Sequence, residues 1–174
     1  MKIFAHFNLI AFFCLLVAHP MRAQKPITIA RLDYSIQAPA GWTIDSAKQM
    51  GTDLVIFSML ENATDRFRDN VNVMVQNLAG RNLNLAAFTD LSTKQIKTMA
   101  QDGKIETSST ISKGKNVYQK IIYTAASNGF RLKFEQYYFI ARTKAYVITL
   151  TTEENKFESF RSTGESILNS FVLK

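Results

Sequence analysis

The stretch Gly129–Glu153, GFRLKFEQYYFIARTKAYVITLTTE, decides the fold. Apolar residues alternate along both halves of it, which predicts two long β-strands joined by a short turn at Arg142–Lys144. We expect the turn to hold an odd number of residues, because that register places the apolar sets of both strands on one face of the sheet. These sets are Leu132, Phe134, Tyr138 and Ile140 in the first strand, and Tyr146, Ile148 and Leu150 in the second.

Tyr137 and Phe139 make the opposite face of the first strand apolar as well, next to Arg131, Lys133 and Glu135. We therefore expect the hairpin to have one fully covered face and one partly covered face.

The segments before the hairpin predict an antiparallel meander. Ile105–Ser112 turns at Gly114 into Val117–Ala125, and the Asn128-Gly129 pair, a strong hairpin signal, leads into the central stretch. A continuous apolar run, Asp53–Leu60, and an alternating run, Asn70–Leu78, predict a further strand pair. Short strands are predicted around Ile27–Ile29 and Tyr34–Ile36, and Trp42, next to a Pro-Gly turn, is expected to close one end of the sheet.

Two helices are predicted. The first covers residues 84–101, with Asn84 as N-cap, Gly103 after its end, and a narrow inward stripe of Leu85, Phe88, Ser92, Gln95, Ile96 and Met99. The second runs from about Asn155 to Phe171 and places one face on the sheet: Phe157, Phe160, Gly164, Ile167, Leu168 and Phe171. Because glycine weakens a helix interior, Gly164 is expected to permit a close approach to a strand or a break.

The N-terminus has the pattern of a secretory signal peptide. One early lysine precedes an apolar run from Phe7 to Ala18, and small residues lead to a predicted cleavage site after Ala23. The run is short for a membrane span, so we expect an exported protein, periplasmic or secreted, with a single domain over residues 24–174 and no transmembrane segment after cleavage.

Removal of residues 1–23 would remove Cys14, His6 and His19, which are the only cysteine and histidines of the chain. The mature chain could then form no disulfide, no thiol nucleophile, no Ser-His-Asp relay and no ordinary zinc or copper site. We therefore expect a non-catalytic protein that binds neither a metal nor a cofactor.

The chain carries a formal net charge of +7, and the excess lies in its centre: residues 94–144 hold ten Lys and Arg against three Asp and Glu. Four of these cations are at predicted turns, and Tyr137 and Phe139 are possible aromatic anchors nearby. We predict a binding surface that meets an envelope protein or an anionic surface, formed by Lys113, Lys115, Arg142, Lys144, Tyr137 and Phe139. Solvated turn lysines are the plainer interpretation, and nucleic acid is not expected as a partner.

The polar loop at residues 61–70 holds Glu61, Asp65 and Asp69. Their spacing suggests calcium, but the loop has no glycine for a tight turn and contains Arg66 and Arg68, so we predict a mobile loop that neutralises its own charge.

The order of these segments resembles the PsbP-like superfamily, which includes the photosystem II subunit PsbP and the bacterial envelope protein DcrB. The matching stretches are YSIQAPAGW, NVNVMVQNL, the helix with Leu85 and Phe88, YVITLTTE and ILNSF. The resemblance implies an α+β fold of one domain, an antiparallel sheet meander with helices packed on both faces. It also implies proteins that bind or support other proteins.

The sequence thus favours a secreted or periplasmic binding or accessory protein of the bacterial cell envelope. Two alternatives stay open. One is a hydrolase acting on glycans through two carboxylates, with candidates Asp33, Asp45, Asp53, Glu106 and Glu135. The other is a carrier of a small apolar ligand, held in a cavity between the sheet and a helix.

Overall fold

A computed structural model describes residues 25–48, 51–114 and 116–174. The predicted signal peptide, residues 1–23, and Lys115 lie outside the described residues. The strands are β1 (Ile27–Ala30), β2 (Tyr34–Ala38), β3 (Thr43–Asp45), β4 (Thr52–Phe57), β5 (Asn70–Asn77), β6 (Gln101–Lys113), β7 (Asn116–Ser127), β8 (Phe130–Ala141), β9 (Lys144–Glu153) and β10 (Val172–Leu173). The helices are α1 (Leu85–Met99) and α2 (Phe157–Asn169), and a 3₁₀ turn, Glu154–Lys156, precedes α2.

Seven strands form one antiparallel sheet in the order β3-β4-β5-β9-β8-β7-β6, and β1-β2-β10 form a small second sheet. The meander from β6 to β9 and the pairing of β4 with β5 confirm the sequence prediction. Helix α1 lies on one face of the large sheet, while α2 and the small sheet lie on the other. The predicted single-domain α+β fold with helices on both faces is therefore confirmed.

The register predicted for the central hairpin is wrong. The turn contains two residues, Arg142 and Thr143, because Ala141 pairs with Lys144. Tyr146, Ile148 and Leu150 consequently share a face with Phe139, Tyr137 and Glu135, and not with the set that contains Leu132 and Tyr138. Arg142 adopts a left-handed backbone with φ of 54°, a conformation that an arginine-threonine turn does not signal in the sequence.

Both faces of this hairpin are buried, and each belongs to a separate core. The core under α2 and the small sheet contains Tyr137, Phe139, Tyr146, Ile148 and Leu150 from the hairpin. The core under α1 contains Tyr138, Ala145 and Val147, packed against Phe88 and Ile96 of the helix.

Both helices begin and end close to the predicted positions. Asn84 caps α1, since its side chain accepts a hydrogen bond from the amide of Ala87 at 2.9 Å. The predicted inward stripe of α1 is wrong at Met99, which is 79 % exposed at the end of the helix. The strand predicted over Asp53–Leu60 ends at Phe57, and Met59 and Leu60 are exposed.

Gly164 is where α2 approaches the sheet most tightly. A Cβ atom added there would lie 2.4 Å from Cδ2 of Leu150 on β9, a side chain with no exposed surface. The predicted close approach of this glycine to a strand is confirmed.

One fully buried carboxylate, Glu135, lies on the α2 side of β8. The ammonium of Lys120 is 2.6 Å from it and 2.9 Å from Glu165 on α2, which Arg161 also contacts at 3.1 Å. Burial works against the charged lysine, but the two carboxylates outweigh it and raise the pKa of Lys120. The buried carboxylate of Glu135 is thus paired with a cation inside the fold.

The variant Gly164→Ala should lower the free energy of unfolding by about 1–2 kcal/mol, because overpacking against Leu150 outweighs the better helix propensity of alanine. Urea denaturation would measure the change, and Ser162→Ala on the exposed face of α2 is the control. Combining Gly164→Ala with Leu150→Val should restore part of the loss; an unchanged loss would contradict the contact as its cause.

The variant Lys120→Met should cost about 3 kcal/mol, because it leaves Glu135 charged and buried without a cation. The double variant Lys120→Met/Glu135→Gln should recover most of that stability in the same denaturation assay. Glu165→Gln, which removes the partly exposed partner, should cost less than about 1 kcal/mol. Equal losses in Lys120→Met and in the double variant would mean that the ion pair is not the source of the effect.

Candidate ligand-binding groove

An open groove of about 660 Å³ lies on the α1 face of the large sheet. Helix α1 packs mainly against β6, β7 and β8, and the core beneath it also includes Ala145 and Val147 of β9. The part of this face towards β4 and β5 is left open, and its groove-facing residues Val55, Phe57, Asn72 and Met74 are only partly buried. The floor of the groove consists of this open part and the adjacent residues of β8 and β9, and one wall is the side of α1 that carries Phe88, Ser92, Gln95 and Ile96.

The middle of the floor is a row of neutral polar side chains. Asn72, Thr149 and Gln136 stand opposite one another on β5, β9 and β8. The Gln136 amide donates to the Thr149 hydroxyl at 3.1 Å, and its carbonyl accepts from the Tyr138 hydroxyl at 2.5 Å. These contacts fix the orientation of the Gln136 amide, while Asn72 is half-buried and faces the groove.

Apolar side chains flank this row on both sides. Met74, Val147 and Tyr138 form the next row towards one end, and Tyr138 packs edge-on against Phe88 with ring centroids 5.4 Å apart. Towards the other end, Phe134 stacks on Tyr123 at 4.6 Å. Burial raises the pKa of Tyr138 to about 12, so its hydroxyl keeps its proton and remains a hydrogen-bond donor.

The β4–β5 loop bounds the groove where β7 turns into β8. Phe67 from this loop contacts Phe130 with ring centroids 5.3 Å apart, and the guanidinium of Arg68 lies over the ring of Phe57 at 5.1 Å. The loop is attached to the rest of the fold rather than free. The predicted self-neutralisation of the loop is wrong, because Glu61 and Asp65 pair with Lys156 outside the loop, while its mobility stays a prediction.

The loop is held by Lys156, the last residue of the 3₁₀ turn. Its ammonium lies 2.7 Å from Glu153, 3.0 Å from Asp65 and 3.7 Å from Glu61. The hydrogen bonds that its ammonium donates to the carboxylates of Glu153 and Asp65 raise the pKa of Lys156. Within the described residues, no group of three or more Asp, Glu, His or Cys side chains is arranged to hold a metal ion.

Asp69, at the end of this loop, is 2 % exposed, and its Oδ1 atom has no hydrogen-bond partner among the described residues. Burial raises its pKa to about 6; the charge of Lys156 opposes this shift, and the neighbouring carboxylates of Asp65, Glu61 and Glu153 add to it.

Of the charged residues in the described part of the chain, only Asp45 lines the groove. The other four candidate carboxylates for hydrolysis lie elsewhere and are engaged: Asp33 with Lys144, Asp53 with Arg31 and Tyr34, Glu106 with Lys133, and Glu135 with Lys120. The structure therefore does not bring the candidate carboxylates together in the groove.

The predicted basic and aromatic surface is brought together only in part. Lys113, Arg142 and Lys144 lie at one end of the large sheet, at the β6–β7 and β8–β9 turns. Tyr137 and Phe139 are 3 % and 6 % exposed and line, with Lys113, a crevice of about 40 Å³ under α2. The two aromatic side chains belong to the core, so they are not surface anchors; whether the basic residues bind a partner stays a prediction.

The groove residues were not among the predicted site residues. A signal was present: in NVNVMV the asparagines alternate with valines, and in ITLTT the threonines alternate with Ile and Leu. Two paired strands that each carry polar residues at every second position predict a polar stripe on one sheet face.

No protein-family model matches the sequence, and no curated protein matches it. Among solved structures, the chain is similar to the PsbP protein of the cyanobacterium Synechocystis sp. PCC 6803, with a TM-score of 0.67, 16 % identity, and 86 % of this chain and 92 % of that chain covered. It is also similar to PA94 of Pseudomonas aeruginosa, a protein of unknown function described as a putative regulator. The TM-score is 0.62 at 10 % identity, and the match covers 87 % of this chain and 99 % of that chain. A third similar structure is that of LpqN, a protein involved in cell envelope biogenesis of Mycobacterium tuberculosis. The TM-score is 0.62 at 11 % identity, and the match covers 86 % of this chain and 90 % of that chain.

The chain thus has the fold of a small antiparallel α+β domain shared by bacterial proteins of several kinds. In particular it has the PsbP-like fold, which confirms the resemblance seen in the sequence. Neither described helix is long and apolar enough to cross a membrane.

The free energy of unfolding should fall by about 1–3 kcal/mol as the pH rises from about 4 to about 6, through the titration of Asp69. In that window the folded state binds more protons, because the pKa of Asp69 is raised above its unfolded value of 3.8. The pKa values of Asp33, Asp65 and Glu165 are lowered, so the stability that these groups contribute increases with pH up to their unfolded values, 3.8 for the two aspartates and 4.5 for Glu165. Of the three, only Glu165 therefore opposes the effect of Asp69, at the lower end of the window.

Urea denaturation at a series of pH values would measure this slope in the wild type and in Asp69→Asn, which cannot ionise and should lack most of it. Parallel profiles for the two proteins would rule out Asp69 as the titrating group.

Proposed function

We propose that the protein is a non-catalytic binding protein of the bacterial cell envelope, and that the groove beside α1 holds a small, uncharged, amphipathic molecule. The observation that carries the proposal is the composition of the groove: a neutral hydrogen-bonding row in the floor, flanked by apolar side chains.

The size of the groove supports this proposal. Pockets for small molecules are concave, mostly apolar and about 300–1,000 Å³ in volume, with a few polar groups that fix orientation. The groove has a volume of about 660 Å³ and places Asn72, Thr149 and Gln136 between the rows of Met74 and Phe134.

The charge of the residues that line the groove indicates which polar group the ligand carries. Asn, Gln and Thr side chains supply both donors and acceptors but no charge. A charged ligand group would lose its hydration without gaining an opposite charge, apart from Asp45 at the rim. Hydroxyl or amide groups on an apolar body fit this lining better than a phosphate or an ammonium.

The location in the envelope is supported by two independent features. The N-terminal sequence has the pattern of a signal peptide cleaved near Ala23. The fold is also that of LpqN, a protein involved in cell envelope biogenesis.

Binding should be tested with N-phenyl-1-naphthylamine, an uncharged probe that fluoresces in apolar sites. Octyl glucoside, below its micelle concentration, should displace the probe more effectively than octyl sulfate, which has the same alkyl chain and an anionic head. Preference for octyl sulfate would contradict the uncharged headgroup while leaving the groove as a binding site.

The variant Asn72→Trp should weaken probe binding at least about tenfold, because an indole at the centre of the floor fills the groove and removes more than 1.4 kcal/mol of contacts. Thr28→Trp on the exposed side of β1 adds the same side chain outside the groove and should bind like the wild type. If both variants bind the probe equally well, or if the wild type does not bind it, the groove is not a ligand site.

A hydrolase acting through two carboxylates is less well supported. Such an enzyme needs two carboxyl groups about 5–10 Å apart across its substrate. Asp45 is the single carboxylate of the described residues that lines the groove, and its Oδ1 atom already accepts a hydrogen bond from the amide of Ala47 at 2.7 Å.

A further inference from the structure

Four turns meet at one end of the molecule. The β6–β7 turn follows Lys113, and the β8–β9 turn is Arg142-Thr143. Since β6 and β8 run in the same direction in this antiparallel sheet, both turns lie at the same end of it. The Thr143 carbonyl accepts from the amide of Leu78 at 2.7 Å, which attaches the loop carrying Arg81 to this end.

The fourth turn, between β1 and β2, is held there by an ion pair. The ammonium of Lys144 lies 2.5 Å from the Asp33 carboxylate, and Leu32 at the tip of the turn is 91 % exposed. A leucine with so little contact to its own protein contributes nothing to either core. We call Leu32, Arg81, Lys113, Arg142 and Lys144 together the basic end.

The charges of the basic end are only partly compensated. Asp33 compensates Lys144, but Arg81, Lys113 and Arg142 are exposed and make no ion pair with any described residue. The opposite end of the sheet, where the β4–β5 loop meets the 3₁₀ turn, is rich in carboxylates: Glu61, Asp65, Asp69, Glu153 and Glu154. The molecule therefore carries excess positive charge at one end and a carboxylate cluster at the other.

We propose that the basic end docks onto an anionic lipid surface, with Arg81, Lys113 and Arg142 at the headgroups and Leu32 inserted between them. The proposal goes beyond the groove and does not depend on what the groove binds.

A lipid surface fits this end better than a protein does. Lysine and arginine near an anionic membrane gain attraction without any fixed partner geometry, and stable peripheral binding combines such charges with an inserted apolar group. Protein interfaces are instead centred on packed anchors in pockets. The crevice beside Lys113 has a volume of about 40 Å³, too small for a side chain of a partner.

The test is co-sedimentation of residues 24–174 with lipid vesicles. This portion excludes the apolar N-terminal segment and contains every described strand and helix and both described cores. We expect binding to vesicles of equimolar phosphatidylglycerol and phosphatidylcholine, weakening as salt is added, and little binding to vesicles of phosphatidylcholine alone.

The triple variant Arg81→Glu/Lys113→Glu/Arg142→Glu should bind the anionic vesicles about 100-fold or more weakly. The matched control is Arg66→Glu/Lys97→Glu/Lys104→Glu, which makes the same change in net charge with exposed cations elsewhere on the surface. The control should lose less than about tenfold, because its charges lie away from the docked end.

Leu32→Ser should lower the part of the binding that persists at high salt, since that part comes from apolar insertion. Equal losses in the two triple variants would overturn the proposal, because binding would then follow net charge alone. Absence of binding to anionic vesicles would overturn it as well and would favour an acidic protein as the partner. All the substituted side chains are exposed, and only Lys113 lines one of the two cavities, the groove and the crevice under α2. Urea denaturation midpoints equal to that of the wild type would verify that each variant folds.

Discussion

The structure depends on the requirement that the central hairpin be covered on both faces. Tyr137, Phe139 and Ile148 point to one side of β8 and β9, while Tyr138 and Val147 point to the other. If either face of the sheet were in water, one of these two apolar sets would be exposed. Helix α2 and the small sheet cover one face. Helix α1 covers mainly the part of the other face that β6, β7 and β8 form. The part towards β4 and β5 is open and forms the groove, and a polar row of Asn72, Thr149 and Gln136 crosses the floor of the groove.

The two helices meet this requirement in different ways. Helix α2 approaches β9 so closely at Gly164 that an added Cβ atom would lie 2.4 Å from Cδ2 of Leu150, and its Glu165 reaches the ammonium that compensates Glu135. Helix α1 packs mainly on β6, β7 and β8, with Phe88 and Ile96 as its buried apolar side chains. Its position beside the open part of the sheet makes it one wall of the groove.

Much of this architecture could be predicted from periodicity. Period-two alternation predicted β5 and β7–β9, and the Asn128-Gly129 pair predicted the β7–β8 hairpin. Helical spacing of apolar residues predicted both helices, with Asn84 as the N-cap of α1. The length of the β8–β9 turn could not be predicted, because an Arg-Thr pair carries no residue that favours a left-handed backbone. β3 and β10 are too short to produce a periodic signal. The polar floor was readable in principle, but its meaning depends on how much of the sheet α1 covers, which is a tertiary property.

The edge strand β6 affects how the protein behaves at high concentration. Strand β6 is thirteen residues long and forms an edge of the sheet, so its outer backbone groups could pair with a strand of another molecule. Its pairing with β7 shifts register twice, between Gln101 and Lys104 and between Ile105 and Thr107, and Lys113 stands at its end. Such irregularities and charges oppose edge-to-edge association, and the regular segment that remains, Thr107–Ser112, is mostly Ser and Thr. Among the described strands, β6 is the longest that forms a sheet edge, and these features oppose sheet extension there.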